Sequence, residues 1–241
     1  MVVGQAAVPR DIGILEWLFD SQSWTGANGI AASLTDTVIL CTIVMAVAIV
    51  TMVPLAAWLA HTRRGEVSVS WMVTLSRAIP TFAVAGLLVP ISLRNGWGFE
   101  PWPIFIALLL LALPPIFLNT YTAIKQVDPG AVDAARAMGY SPANVLFRVE
   151  LALAASVILA GVRVAAVTVV ATEPIRAFLG GDGLGRYVRD GLGQNNDSLV
   201  IAGAALVAGL AGLTALSFRT IERVALPEGV RRVARTATRQ E

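Results

Sequence analysis

Four stretches of this chain contain no Asp, Glu, Lys, Arg or His: Thr37–Ala60 (24 residues), Ala78–Leu93 (16), Pro101–Ile124 (24) and Ser198–Phe218 (21). A fifth, Leu151–Thr172, is interrupted only by Arg163. A helix rises about 1.5 Å per residue, so about 20 apolar residues match a hydrocarbon layer of about 30 Å. The pattern predicts an all-α membrane helical bundle with five transmembrane helices, at 35–60, 71–93, 102–125, 151–173 and 198–221. The second must begin near Trp71 and so includes Arg77, close enough to its start to reach the headgroups. Composition agrees: 14% of the 241 residues are charged, where a soluble domain averages about a quarter. A soluble enzyme is excluded on that ground. One Cys (Cys41) and one His (His61) also exclude a disulfide framework and a His/Cys metal cluster.

Residues 1–32 read as a non-spanning lead-in. Arg10, Asp11, Glu16 and Asp20 leave the apolar run Ile12–Phe19 too short and too charged to cross. No basic segment precedes an apolar core there, as a signal peptide requires. Residues 33–222 make the membrane domain, and 223–241 a basic tail. Five spans put the termini on opposite faces. One face collects eleven of the eighteen basic residues: Arg63, Arg64, Lys125, Arg136, Arg148, Arg219, Arg223, Arg231, Arg232, Arg235 and Arg239. The other holds Arg10, Arg94, Arg176, Arg186 and Arg189. The excess of Lys and Arg on cytoplasmic loops then sets the N-terminus outside and the C-terminus inside.

Residues 126–150 form the one long cytoplasmic loop, and it has its own helix signals. Asp128 before Pro129 is an N-cap with Pro at the first helical position. The helix runs through Met138 and stops at Gly139, with Val132, Ala135 and Met138 as a narrow apolar stripe. Ser141-Pro142 repeats the cap-and-proline start and leads into the fourth span. Two short capped helices make a projecting knob; spacing alone allows an ordinary membrane-surface loop equally well.

Within this loop, Asp133-Ala134-Ala135, three residues, Gly139, nine residues, Val149-Glu150-Leu151 resembles the EAA loop of bacterial ABC importer permeases. That pattern reads Glu-Ala-Ala, three residues, Gly, nine residues, an Ile-like residue, any residue, Leu, Pro. Here Asp133 stands for Glu, Val149 for Ile, and Ala152 where Pro is usual. Asn119-Thr120-Tyr121-Thr122-Ala123-Ile124 with Val127-Asp128-Pro129 is similar to the segment entering that loop in the osmoprotectant subfamily (glycine betaine, choline, carnitine, proline). Gly161-Val162-Arg163 and Phe178-Leu179-Gly180-Gly181-Asp182-Gly183-Leu184-Gly185 resemble that subfamily's fourth span and following Gly-rich stretch. Ser23-Trp24-Thr25-Gly26 looks like the lead-in of its actinobacterial members. The resemblance spans residues 15–227.

The resemblance implies a non-enzymatic, multi-pass subunit of the plasma membrane. It would pair with a second permease subunit, identical or paralogous, and with a cytoplasmic ABC ATPase dimer and an extracytoplasmic binding protein. No nucleic-acid partner is implied, and the lipid bilayer is the remaining one. ATP and its Mg would be bound by the ATPase subunits; this chain has no Gly-x-x-x-x-Gly-Lys-Ser/Thr loop, and its only Lys is Lys125. No cofactor and no metal site are expected here. The coupling loop would be Asp128, Pro129, Asp133, Ala134, Ala135, Arg136, Gly139, Ser141 and Pro142, with Asp133 and Arg136 as polar contacts.

Arg163 sits about 18 Å into the fourth span by helix rise. Its cost of about 2.5–3.5 kcal/mol there requires it to face the bundle interior, a subunit interface or water. Pathway lining and a structural pair are both open readings. Asn119, Tyr121, Arg163 and Glu173 are the pathway or gate candidates, and Gly180, Gly181, Gly183 and Gly185 mark an external segment. Ala205/Gly209 and Ala208/Gly212 in the fifth span suit close helix packing. Competing readings are an importer of another zwitterionic or quaternary-amine solute such as ergothioneine, and a membrane-embedded enzyme. The latter needs an acid–base or metal constellation within the membrane, and no pair of intramembrane carboxylates exists.

Overall fold

The structure is a computed structural model that describes residues 14–64, 67, 69, 71–74, 80–99 and 101–225. Every regular element among them is helical. The elements are α1 (Ile14–Phe19), α2 (Ser21–Trp24), α3 (Ile30–His61), α4 (Thr81–Arg94), α5 (Trp102–Lys125), α6 (Pro129–Ala137), α7 (Pro142–Val145), a π-helical turn (Leu146–Glu150), α8 (Leu151–Thr172), α9 (Ile175–Phe178), α10 (Gly185–Gly193) and α11 (Asp197–Ala225).

Four helices have the length and apolarity of membrane spans among the described residues: α3, α5, the continuous run containing α7, the π turn and α8, and α11. They correspond to predicted spans one, three, four and five, with α3 beginning five residues earlier than expected. The second predicted span is different. Residues 71–74 are helical, 75–79 with Arg77 lie outside the described residues, and α4 is a 14-residue helix from Thr81. Pro80 explains its start: φ −74° and ψ 107° make it extended, so the helix cannot include it. The first thirteen residues and the tail from 226 onward also lie outside the described residues.

The chain divides into two compact units. The first comprises Met1–Val44, Pro80–Leu110 and Val167–Leu213. Trp17, Ile30, Leu184, Tyr187, Leu199 and Ala202 form a buried core in it. Trp17 meets Tyr187 edge to face, with centroids 5.4 Å apart, the geometry favoured by aromatic quadrupoles. A Cβ at Gly203 would stand 2.8 Å from that of Tyr187, so a larger residue could not let α10 approach α11 this closely. Burial raises the Tyr187 phenol above its ordinary pKa.

The second unit comprises Met45–Ile79, Leu111–Ala166 and Thr214–Glu241. Its largest core joins Ala56, Ala57 and Ala60 of α3, Phe117, Tyr121, Ala123 and Ile124 of α5, Leu146, and Ala154 of α8. The alanines admit close approach, and Phe117 stacks on Tyr121 with centroids 6.0 Å apart. At Gly161 a Cβ would lie 2.5 Å from Asn119 Cβ, so only glycine lets α8 meet α5 there. Gly209 and Gly212, predicted as packing residues, have no neighbour within 4 Å among the described residues of this chain. Among the described residues, tight helix contacts lie at Gly161, Gly191 and Gly203.

Candidate functional site

The loop joining α5 to α8 is built by its caps. The Asp128 carboxylate accepts from Gly130 N at 3.0 Å, one of the donors that a helix start leaves free. Pro129 fills the first helical position, where no N–H is needed. At the other end Gly139 has φ +86°, and Gly139 N and Tyr140 N donate back to Arg136 O (2.9 Å) and Ala135 O (3.2 Å). A Cβ at that φ would be strained, so the reversal depends on glycine. Ser141 then accepts from Asn144 N at 3.4 Å and Pro142 starts α7. Both predicted helices are present, with these caps.

Val132 and Ala135 of α6 pack with Val145 in a small core of their own, closed by Val127 and Val149. Met138 departs from the predicted stripe. It is the capping residue of α6, where the helix has already ended, and it is 71% exposed. The opposite face of α6 presents Asp133, Ala134, Arg136 and Ala137 outward. Asp133 and Arg136 meet each other across one turn at 3.5 Å, both largely exposed. The loop is therefore a small apolar-cored wedge whose exposed outer face carries Asp133 and Arg136 between alanines.

Just past the wedge lies a contact that no local pattern announced. His61, the last residue of α3, stands with Nδ1 2.6 Å from Oε2 of Glu150, the last residue of the π turn. Their side chains are 14% and 9% exposed. The sequence by itself offers no partner for His61, because Glu150 is 89 positions away.

In the other unit Glu173 is fully buried. Thr37 Oγ1 donates to its Oε2 at 3.0 Å, and Arg176 Nη1 donates to its Oε1 at 3.3 Å. Leu184 N donates in turn to Thr37 Oγ1 at 3.0 Å. Gly183 closes the cluster at φ +95°; a Cβ there would come within 2.8 Å of both Glu173 Oε1 and Thr37 Oγ1. The other glycines of the segment serve the same folding. Gly180 has φ +93° and lies against the Phe99 ring, Gly181 O accepts from Arg189, and a Cβ at Gly185 would overlap Pro174 O. The predicted stretch after the fourth span thus holds two short helices, α9 and α10, tied down by buried polar groups.

The remaining pathway candidates lie in the second unit. Asn119 Nδ2 donates to Pro115 O at 2.8 Å, and its side chain abuts Gly161. Tyr121 is buried, its ring 5.8 Å from Lys125 Nζ, and its hydroxyl has no hydrogen-bond partner among the described residues. Thr120 Oγ1 is in the same state. Arg163 is half-buried and makes no ion pair among the described residues. No three His, Cys, Asp or Glu side chains are grouped to hold a metal among the described residues.

Residues 52–225 match the family described as binding-protein-dependent transport system inner membrane component. The chain belongs to that family. Among curated members, the permease is 30% identical over 181 residues to the choline transport system permease protein OpuBB of Bacillus subtilis (75% of this chain, 81% of the relative). It is 31% identical over 204 residues to the osmoprotectant import permease protein OsmW of Salmonella typhimurium (84% and 95%). It is 33% identical over 176 residues to the glycine betaine/carnitine/choline permease OpuCD of Bacillus subtilis (73% and 75%). Its fold is that of a chain from the inward-facing MetNI methionine ABC transporter, with TM-score 0.70 and 19% identity over 82% of this chain and 96% of that one. Four apolar helices and family membership make the permease a multi-pass plasma-membrane protein. It is a transport subunit, and its relatives are transport permeases rather than enzymes.

Proposed function

We propose that this permease forms the translocation path for a small zwitterionic or quaternary-amine compatible solute of the glycine betaine, choline, carnitine or proline kind. The solute is delivered by an extracytoplasmic binding protein and moved by alternating access. ATP, with Mg, is bound and hydrolysed by a cytoplasmic ATPase dimer, and a second permease subunit completes the path. The observation that carries the reading is the wedge at 128–143: two capped helices on an apolar core, with Asp133, Ala134 and Arg136 on the outer face. A rigid, capped element can transmit a push that a flexible loop would dissipate. Asp133 and Arg136 supply paired charges for a groove on the ATPase, and the basic excess on this side of the chain supports a cytoplasmic position for the loop.

Arg163 supports a zwitterionic solute over a purely cationic one. A half-buried guanidinium in mid-span repels a lone ammonium and offers a carboxylate a bidentate partner. The test is co-purification in mild detergent with the ATPase subunit. Gly139→Pro, which forbids φ +86°, should abolish co-elution while the membrane domain still folds. Co-elution that ignores this substitution would sink the coupling assignment. Uptake of labelled glycine betaine and choline by wild type and Arg163→Gln then reads the solute class: the substitution should depress betaine uptake more than choline uptake.

A further inference from the structure

The wedge does not hang between α5 and α8 on flexible chain. α7, the π turn and α8 run on without a break, so a displacement of the wedge has to pass through residues 146–150. In this turn Leu151 N reaches back five residues to Leu146 O. Such widened turns insert a register change into a helix without ending it and occur mostly at functional sites. Here the turn meets two bodies at once. Val149 packs against the core formed by Val132, Ala135 and Val145, while Glu150 is buried and joined to His61 at the end of α3. Arg148, on the same turn, is exposed.

The chemistry of that joint is strong for its size. The imidazole Nδ1 and the carboxylate Oε2 share one hydrogen bond, and its geometry fixes the orientation of both side chains. A 2.6 Å bond to a carboxylate, largely shielded from water, is stronger than the same bond in solvent. Neither partner is needed to complete a helix: α3 ends at His61 itself, and Glu150 leads directly into α8.

We infer that Glu150 and His61 are positioning residues of the transport cycle: their pair ties the wedge to the first span, so that a push at the coupling loop moves α3 and α8 together. The inference rests on the coupling reading above. Separating the pair leaves the wedge attached to α8 alone. ATP hydrolysis then continues while less solute moves per ATP.

The experiment uses the complete reconstituted complex in liposomes, with ATP hydrolysis and betaine uptake measured on the same preparation. His61→Ala and Glu150→Ala should assemble and hydrolyse ATP, yet move about fivefold or more less solute per ATP, a modest allosteric coupling. His61→Asn carries an amide nitrogen where Nδ1 stands and should restore the ratio. The double alanine variant should be no worse than either single one. A wild-type ratio in His61→Ala, or failure of His61→Asn to rescue, would overturn the inference. Should an alanine variant fail to assemble, the pair His61→Leu with Glu150→Leu removes both polar groups together and carries the test with the same two outcomes. A wild-type complex with no ATPase subunit attached, or no binding-protein-stimulated hydrolysis, overturns the proposed function itself and is read before any variant.

Discussion

Two pairs in this permease share one spelling. Asp133 with Arg136 and Glu173 with Arg176 are each a carboxylate followed three residues later by an arginine, joined at 3.5 and 3.3 Å. The first pair is 74% and 59% exposed, the second 0% and 8%. Exposed pairs contribute little, since water and salt screen them and two long side chains must be held still. A buried pair is different: the loss of one partner leaves a charge in low dielectric with its solvation already gone. The same local sequence therefore marks a surface free to engage another molecule in one place and a fixed anchor in the other.

That contrast can be broken by substitution, read as the unfolding midpoint of the detergent-solubilised protein. Glu173→Ala has the largest expected effect, about 3–5 kcal/mol of destabilisation, because Arg176 loses its carboxylate and Thr37 loses its acceptor. Gly183→Ala follows at about 1–3 kcal/mol, since φ +95° disfavours the new residue and its Cβ collides with Glu173 and Thr37. Asp128→Ala removes only the cap of α6 and should cost about 1 kcal/mol. Arg136→Ala comes last, within about 0.5 kcal/mol of wild type. If Arg136→Ala lowered the midpoint as far as Glu173→Ala, burial would not be what separates the pairs. The Arg136 variant sharpens the comparison in another way: with stability intact, any loss of ATPase co-elution belongs to the outer face of the wedge.

How much of this was legible beforehand follows the range of the interactions. Asp128-Pro129, Gly139 and Ser141-Pro142 are local signals, and each produced the cap or turn that its chemistry dictates. The long charge-free runs likewise located four spans, because length and apolarity suffice for that. What was missed required a distant partner or a local exception. Thr37 reaches Glu173 over 136 positions, and His61 reaches Glu150 over 89, so neither leaves a periodic trace. Met138 fits a three-residue stripe that the helix does not live long enough to use. Pro80 falls inside the predicted second span at 71–93, whereas in the structure it stands extended at the head of α4. The Ala205/Gly209 and Ala208/Gly212 pattern of α11 is a real composition, but Gly209 and Gly212 meet no neighbour among the described residues of this chain.

Arg163 has a consequence for how the permease enters its membrane. α8 contains ten Leu, Ile and Val residues, worth about 0.3–0.6 kcal/mol each toward insertion at a helix centre. The arginine opposes them with about 2.5–3.5 kcal/mol. The apolar side chains supply about 3–6 kcal/mol, so the arginine offsets about half or more of what would carry α8 into lipid. The residue two positions earlier, Gly161, lets it lie directly against Asn119 of α5. A helix with part of its insertion energy offset gains from a partner, and α5, which precedes α8 in the chain, presents one at this glycine.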